Sequence, residues 1–446
     1  MSRRLKRKKP PERGVVDITD LASNGRGVGH VQGKAIFVAD TLPGEQALYR
    51  PVKVKRDYEQ AEMATLFSAS ADRTTPRCAH FGICGGCVLQ HASPAAQVEF
   101  KQRQLVQTLE RVGGVAPERM LEPLTGARWG YRRRARLGVK HVPKKGGTLV
   151  GFRERGAPFI AQLSRCEVLV ADVGDRLTEL GRLIDDLSIR SAIPQIEVAA
   201  GDNHVALVFR VLDQPSPADR ERLAEYARAT GFVLYLQPGN ETTITPLTGA
   251  PEPLYYDLPA FGARLYFEPN DFVQIHGEIN RKMVDVALAH LDLQPGETVL
   301  ELFSGLGNFS VPLARTAGEV VTVEGEAGLV QRARENAARN GATNVSAHVD
   351  NLFEPAPRPA WQPDKADKVL LDPPRSGAAE VLGHVAATGA SRIVYCSCHP
   401  ATLARDAATL VGRHGYRLAA AGVMDMFPHT AHIESMAVFE KPSRGS

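Results

Sequence analysis

Four nearly continuous apolar runs recur in the last third of the chain: Thr298-Val299-Leu300-Glu301-Leu302-Phe303, Val320-Val321-Thr322-Val323-Glu324, Lys368-Val369-Leu370-Leu371-Asp372 and Arg392-Ile393-Val394-Tyr395-Cys396. A strand with one wet face alternates apolar and polar residues; runs this apolar suit strands covered on both faces, as in a parallel sheet flanked by helices. Helical stretches such as Leu329 to Asn340 lie between them. From about Gln274 onward the chain is therefore restricted to a doubly wound, Rossmann-like α/β domain, whose ligands bind beyond the carboxyl ends of its strands. The residues just past those ends are the ones to read for chemistry.

With 446 residues, 43% of them hydrophobic, the chain can bury more than one core, and a multidomain protein is expected. A basic tail occupies residues 1–10, where Arg3, Arg4, Lys6, Arg7, Lys8 and Lys9 crowd together. Residues 11–73 alternate in short runs such as Gly14-Val15-Val16-Asp17-Ile18 and Ala35-Ile36-Phe37-Val38, broken by Asn24-Gly25-Arg26-Gly27 and Pro43-Gly44. That pattern predicts a small antiparallel, OB-like barrel, a form that often binds single-stranded nucleic acid. Residues 74–271 read as a central α+β region, with a helix over about 93–112 opened by Ser93-Pro94 and another near 174–187. Residues 272–446 form the doubly wound domain. No run approaches the roughly 18 apolar residues of a membrane span, and the N-terminus lacks the apolar segment of a signal peptide, so a cytoplasmic protein without membrane contact is expected. Formal charge is only +4. Arg132, Arg133, Arg134 and Arg136, set near Trp129 and Tyr131, suit a phosphate-binding face or an ordinary charged strand surface.

In Glu301-Leu302-Phe303-Ser304-Gly305-Leu306-Gly307-Asn308, two glycines let the backbone turn tightly into a helix and approach a nucleoside closely. Glu324 closes the next strand about 20 residues on, where a carboxylate can accept hydrogen bonds from ribose hydroxyls. Asp350-Asn351 follows a further candidate strand, where an adenine edge would lie. Ser310 stands at the third glycine position of Gly-x-Gly-x-x-Gly, so a nicotinamide cofactor fits poorly. S-adenosylmethionine fits better, the more so with Asp372-Pro373-Pro374-Arg375 downstream.

The six cysteines fall into two sets. Cys396 and Cys398 lie in Tyr395-Cys396-Ser397-Cys398-His399-Pro400. A thiol close to a bound methyl donor suggests covalent catalysis on a carbon too inert for direct methylation, such as C5 of a pyrimidine in RNA. A thiolate adding at C6 places enolate density on C5, and after methylation a base must remove the C5 proton so that the thiol can leave. Cys398 can be that thiolate. Glu434, in His429-Thr430-Ala431-His432-Ile433-Glu434-Ser435, can be that base. Cys396 would share a strand face with Cys398, so pattern leaves both open as nucleophile, and the following His-Pro turn favours Cys398. The second set, Cys78, Cys84 and Cys87 with the distant Cys166, offers four thiolates for a tetrahedral zinc or an iron–sulfur cluster, with spacing alone leaning to zinc. A disulfide framework does not suit a cytoplasmic chain.

Phe272-Val273-Gln274, the loop Glu301 to Asn308, Asp372-Pro-Pro-Arg375, Ser397-Cys398-x-Pro400 and His429-Thr-x-His-x-Glu434-Ser occur in order. On these motifs the chain resembles the RNA uracil-C5 methyltransferase family over nearly its whole length. The resemblance implies that Cys398 is the nucleophile, that Glu434 is the proton-abstracting base, and that Gln274, Phe303, Asn308, Glu324, Asn351 and Asp372 form the S-adenosylmethionine site. It also implies a TRAM domain for the barrel and, in place of zinc, a [4Fe-4S] cluster on Cys78, Cys84, Cys87 and Cys166. Barrel and cluster together resemble the branch that forms 5-methyluridine at position 1939 of 23S ribosomal RNA, whereas the transfer-RNA members are expected to match only the C-terminal half. The implied partner is thus 23S ribosomal RNA, in a loop or single-stranded region with its uridine flipped out, acted on by a monomer. His276 and His399 stand where the family has asparagine. Pro374-Arg375 argues against a cytosine-C5 methyltransferase and an amino-group methyltransferase. Retention of both Cys398 and Glu434 argues against a non-catalytic ribosome-assembly factor.

Overall fold

The computed structural model describes residues 14–442, so the basic tail read at residues 1–10 lies outside it. The chain divides into two compact units. The first runs through Lys101 and takes in His429–His432; the second holds Gln102–Pro428 and the chain from Ile433.

In the first unit six strands form one sheet, ordered Gly14–Asp17, Gln46–Val54, Tyr58–Ser68, Lys34–Ala39, Gly27–Val31, Asp20–Leu21. All neighbours are antiparallel except Lys34–Ala39 and Tyr58–Ser68. Its two outer strands are halves of one bent stretch, since only Ile18 and Thr19 separate Asp17 from Asp20. One half pairs with Gln46–Val54 and the other with Gly27–Val31, which closes the sheet into the expected barrel. At the bend a Cβ on Gly29 would lie 2.3 Å from the Asp17 carbonyl oxygen, so only glycine fits. Val16, Ile18, Ile36, Val38, Tyr49 and Ala61 fill the interior. A second small core gathers Leu21, Leu42, Leu89, Ala92 and Phe100, with Ala431 against it.

The helix Pro94–Thr108 begins as expected: Ser93 Oγ accepts the Ala96 N–H at 3.2 Å. It ends in a wider turn, Leu109–Gly113, which packs on the helix Pro400–Gly412. The predicted helix near 174–187 is two, Ala171–Gly174 and Leu177–Asp185. The break falls where Cys166 N–H takes the Gly174 carbonyl at 2.9 Å.

The second unit holds a six-stranded sheet ordered Thr245–Pro246, Val233–Gln237, Val205–Arg210, Gln195–Ala200, Arg134–Val142, Gly147–Gly151. It also holds an eight-stranded sheet ordered Val345–Val349, Glu319–Glu324, Thr298–Leu302, Lys368–Leu371, Arg392–Ser397, Glu434–Glu440, Arg417–Met424, Arg119–Met120. The first five strands of this larger sheet are parallel, and the four apolar runs are its centre. Glu434–Glu440 runs antiparallel to its neighbours. Arg119–Met120 adds the last edge, although the sequence placed it in the central region.

The arginine cluster is mostly internal wiring rather than an open phosphate face. Arg133 pairs with Asp202 at 2.5 Å, the half-buried Arg134 donates to the Pro269 carbonyl, and Arg132 donates to Arg134 O at 3.0 Å. Arg136 remains exposed but pairs with Glu197 at 2.9 Å.

Candidate active site

Because the five strands are parallel, their carboxyl ends lie on one edge, in the order Asn351, Glu324, Phe303, Asp372, Cys398, with neighbouring strands about 4.8 Å apart. The chain leaves Thr298–Leu302 toward Glu319–Glu324 on one side, while Lys368–Leu371 lies on the other; this is the switch point at which such sheets open a crevice. The next strand is antiparallel, so its first residue, Glu434, arrives at the same edge.

Register sets the two catalytic candidates. Cys396 pairs with Met436 and Ser397 with Ser435, and one further step sets Cys398 opposite Glu434. Cys396, 1% exposed, lies in the hydrophobic core among Val394, Met436 and Val438. Cys398 is half-buried, past the strand end, where His399 N–H caps back onto Ser397 Oγ at 3.1 Å and Pro400 starts a helix. The two thiols thus differ in setting: Cys396 packs in the core, while Cys398 is half-buried just past the strand end. Burial first, then Glu434 and Asp372, pushes the Cys398 thiol up to about 11, with Arg375 acting against them. Burial and then Glu434 push Asp372 up to about 7.

The glycine loop is built to receive a ligand. Phe303 has φ +65°, rare for a residue with a Cβ, and Gly305 and Gly307 have φ +55° and +97°. Phe303 and Ser304 N–H both donate to Val323 O, at 2.9 and 3.2 Å. Glu324 accepts from Gly305 N–H at 3.1 Å and from Glu326 N–H at 3.0 Å, so its carboxylate is already oriented and keeps lone pairs for a ribose. The buried Glu301 accepts from Ser310 Oγ at 2.5 Å, and burial pushes it up to about 8. Asn351 is exposed and accepts from Phe353 N–H, while the Phe353 ring sits 5.9 Å from that of Phe303. Asp372 N–H donates to Leu302 O at 3.3 Å, holding it beside this loop.

Asn308 is braced from both sides. Its Oδ1 accepts from Tyr256 Oη at 2.8 Å and Asn280 Nδ2 at 3.0 Å, and its Nδ2 donates to Asn280 Oδ1 at 2.9 Å. Gln274 lines a small cavity with Tyr256 and Asn280. Asn336 donates to Leu306 O and Tyr266 O, both at 3.0 Å, and accepts from Tyr266 N–H at 2.8 Å. Sequence reasoning missed Tyr256, Asn280 and Asn336; a polar residue on the inward face of the helix Ala327–Arg339 is the one signal that pointed to Asn336. His276 proves structural: its Nδ1 accepts the Ile279 N–H, its Nε2 faces Ala127 O at 2.7 Å, and it stacks on Tyr131 with ring centroids 4.8 Å apart.

None of the cysteines read as metal ligands takes part in a disulfide among the described residues. Cys78, Cys84 and Cys87 lie in one tightly turned segment, with Cys84 N–H on His80 O and Gly86 N–H directed at Cys84 Sγ at 3.4 Å. Their chemistry suits iron or zinc, but among the described residues no three His, Cys, Asp or Glu side chains are gathered to hold a metal ion.

The TRAM domain family matches residues 14–63 and the methyltransferase domain family residues 293–422. The chain is 56% identical to the 23S rRNA (uracil(1939)-C(5))-methyltransferase RlmD of Alkalilimnicola ehrlichii over 443 residues, 99% of each chain. It is 50% identical to that of Alcanivorax borkumensis, again over 99% of each, and 48% identical to that of Xanthomonas campestris over 95% and 96%. Among solved structures, the Pyrococcus abyssi tRNA (uracil-54, C5)-methyltransferase, in complex with S-adenosyl-L-homocysteine, shares the fold, with a TM-score of 0.71 and 24% identity over 96% of this chain and 99% of that one. That full-length match corrects the expectation that transfer-RNA enzymes match only the C-terminal half. Architecture does not separate the two substrates, and full-length identity does.

Proposed function

This chain belongs to the 23S rRNA (uracil(1939)-C(5))-methyltransferase family, and we propose that Cys398 and Glu434 carry its chemistry, with uridine 1939 as the target. It is an S-adenosylmethionine-dependent methyltransferase of uracil C5 in 23S ribosomal RNA. The observation that carries the residue roles is the strand register, which continued by one step sets the half-buried Cys398 opposite the carboxylate of Glu434.

S-adenosylmethionine, when bound, supplies an electrophilic methyl group on a positive sulfonium. Glu324 holds the ribose side and Asn351 the adenine side of the crevice, the Phe303–Gly307 loop lies between, and Gln274 and Asn308 border it from the helix face. A positive charge beside Asp372 and Cys398 favours carboxylate and thiolate over their protonated forms, opposing the burial that raises both. Cys398 Sγ then forms a bond to C6 of the flipped uracil, and the electron pair shifts onto C5 and O4. C5 would take the methyl group with this electron pair, the donor's S–CH3 bond breaking with its own pair left on sulfur as S-adenosylhomocysteine. Glu434 removes the C5 proton, the electron pair re-forms the C5–C6 double bond, and the C6–S bond breaks to return the thiolate.

Cys78, Cys84, Cys87 and Cys166 would hold a [4Fe-4S] cluster, a reading supported by the affinity of cysteine sulfur for iron and by the Gly86 N–H directed at the Cys84 sulfur. The cluster has no step in methyl transfer. Iron and sulfide assays on anaerobically purified protein check it, and a zinc-only or metal-free preparation with full activity would refute it. Among the described residues no helix is long and apolar enough to cross a membrane. A cytoplasmic monomer meeting ribosomal RNA is the matching setting.

Mass-spectrometric mapping of 23S ribosomal RNA from cells lacking the protein tests the function. Loss of 5-methyluridine at 1939, restored by the wild type and not by Cys398→Ala, is expected. Persistence of the modification without the protein would overturn it.

A further inference from the structure

The chain leaves the second unit for only four residues, His429–His432, and re-enters it one residue before Glu434. Within the first unit one side chain, Gln97, is hydrogen-bonded to this excursion at His429. Gln97, 1% exposed, lies in the first turn of the helix Pro94–Thr108. Its Oε1 accepts the His429 N–H at 2.8 Å, and its Nε2 donates to Leu89 O and Ala92 O, both at 2.9 Å, with His429 Nδ1 3.4 Å away. The carbonyl of the same residue is held as well, since Val88 and Leu89 N–H both donate to His429 O at 2.9 Å. His429 is buried and keeps φ +68°, a left-handed conformation that a histidine adopts only when its surroundings impose it. His432 N–H donates to Thr430 Oγ1 at 3.2 Å, and a single residue, Ile433, separates His432 from Glu434, which begins its strand opposite Met424.

Gln97 does not serve its own helix, because Ser93 provides that cap. A buried carboxamide that spends its acceptor and both donors on one clamp is doing something local and specific.

We propose that Gln97 is a positioning residue for Glu434: by clamping His429 it fixes the chain that delivers the base, and so governs proton removal without touching the reacting atoms. The inference rests on the reading of Glu434 as the base. Thiol addition by Cys398 does not use this segment, so the clamp acts on the last step only. A displacement of the order of 1 Å is enough to slow a positioned transfer about 100-fold.

The test compares wild type, Gln97→Met, Gln97→Glu and Glu434→Gln as full-length proteins, using a 23S RNA fragment with either uridine or 5-fluorouridine at the target. Two rates are read on denaturing gels: formation of the covalent adduct on fluorouridine RNA, and survival of a methylated adduct on ordinary RNA. Gln97→Met is expected to turn over about 10- to 100-fold more slowly, to accumulate methylated adduct on ordinary RNA, and to form the fluorouridine adduct at the wild-type rate. Gln97→Glu keeps an acceptor for His429 N–H and is expected to fall between Gln97→Met and wild type. Equal loss of both rates in both Gln97 variants, by misfolding or otherwise, makes Gln97 merely structural and overturns the inference, as does unchanged turnover. If Glu434→Gln accumulates adduct and Gln97→Met does not, the inference fails while the base assignment stands. If Glu434→Gln accumulates none, both fail.

Discussion

Cys398 lies opposite Glu434, one step past the last residue pair joining the strands Arg392–Ser397 and Glu434–Glu440. The sheet thereby fixes the proposed nucleophile and the proposed base through its backbone hydrogen bonds. Asp372, at the end of the neighbouring strand, is close enough for each carboxylate to influence the thiol.

The two cysteines separate on substitution. Cys398→Ala abolishes methylation with little loss of stability, since its side chain is half-buried. Cys396→Ser leaves a hydroxyl in an apolar core and is expected to cost about 1–3 kcal/mol of stability with methylation retained. Urea denaturation and methyl-transfer assays on both variants check this.

Alkylation of Cys398 reports its raised pKa. With the thiol at about 11, its reaction with iodoacetamide, followed by peptide mapping, continues to accelerate above pH 9 instead of levelling there. Glu434→Gln removes one negative charge that raises it, so Cys398 reacts faster than wild type at pH 8. A slower reaction would contradict the electrostatic account.

Asp372 makes stability fall with rising pH. Its folded value of about 7 exceeds the ordinary 3.8, so the folded protein holds an extra proton between them. That stabilising contribution is fully present below about pH 3.8 and is lost as pH rises through 7. Asp372→Asn cannot ionise, so its stability relative to wild type rises between pH 5 and pH 8, measurable by urea midpoints.

Asn336→Ala breaks three hydrogen bonds that tie the glycine loop to the hairpin strand Ala263–Phe267. A stability loss of about 2–4 kcal/mol is expected, with donor affinity falling more than RNA affinity. Calorimetric titration with S-adenosylmethionine and an RNA gel shift separate the two.

The four central strands were legible because burial on both faces leaves an almost uninterrupted apolar signature. Residues just past their ends were legible for the same reason, as Glu324 and Asp372 show. Alternation alone left Cys396 and Cys398 on one face, and the following His-Pro turn is what favoured Cys398, in keeping with a strand that ends at Ser397. Tyr256 and Asn280 were invisible, since they reach Asn308 from 52 and 28 residues away. The arginine cluster misled because sequence shows charge but not its partner: Asp202 is far along the chain from Arg133. His276 looked like a departure at the substrate site and is a buried helix cap.

The central claim is a covalent bond between Cys398 and C6 of the target uracil. Intact-mass and peptide mapping of the protein mixed with 5-fluorouridine RNA and S-adenosylmethionine tests it most directly, because fluorine at C5 cannot leave as a proton. A stable methylated adduct on the peptide containing Cys398, absent in Cys398→Ala and present in Cys396→Ala, is predicted. No adduct with wild type, or an undiminished one in Cys398→Ala, would contradict it.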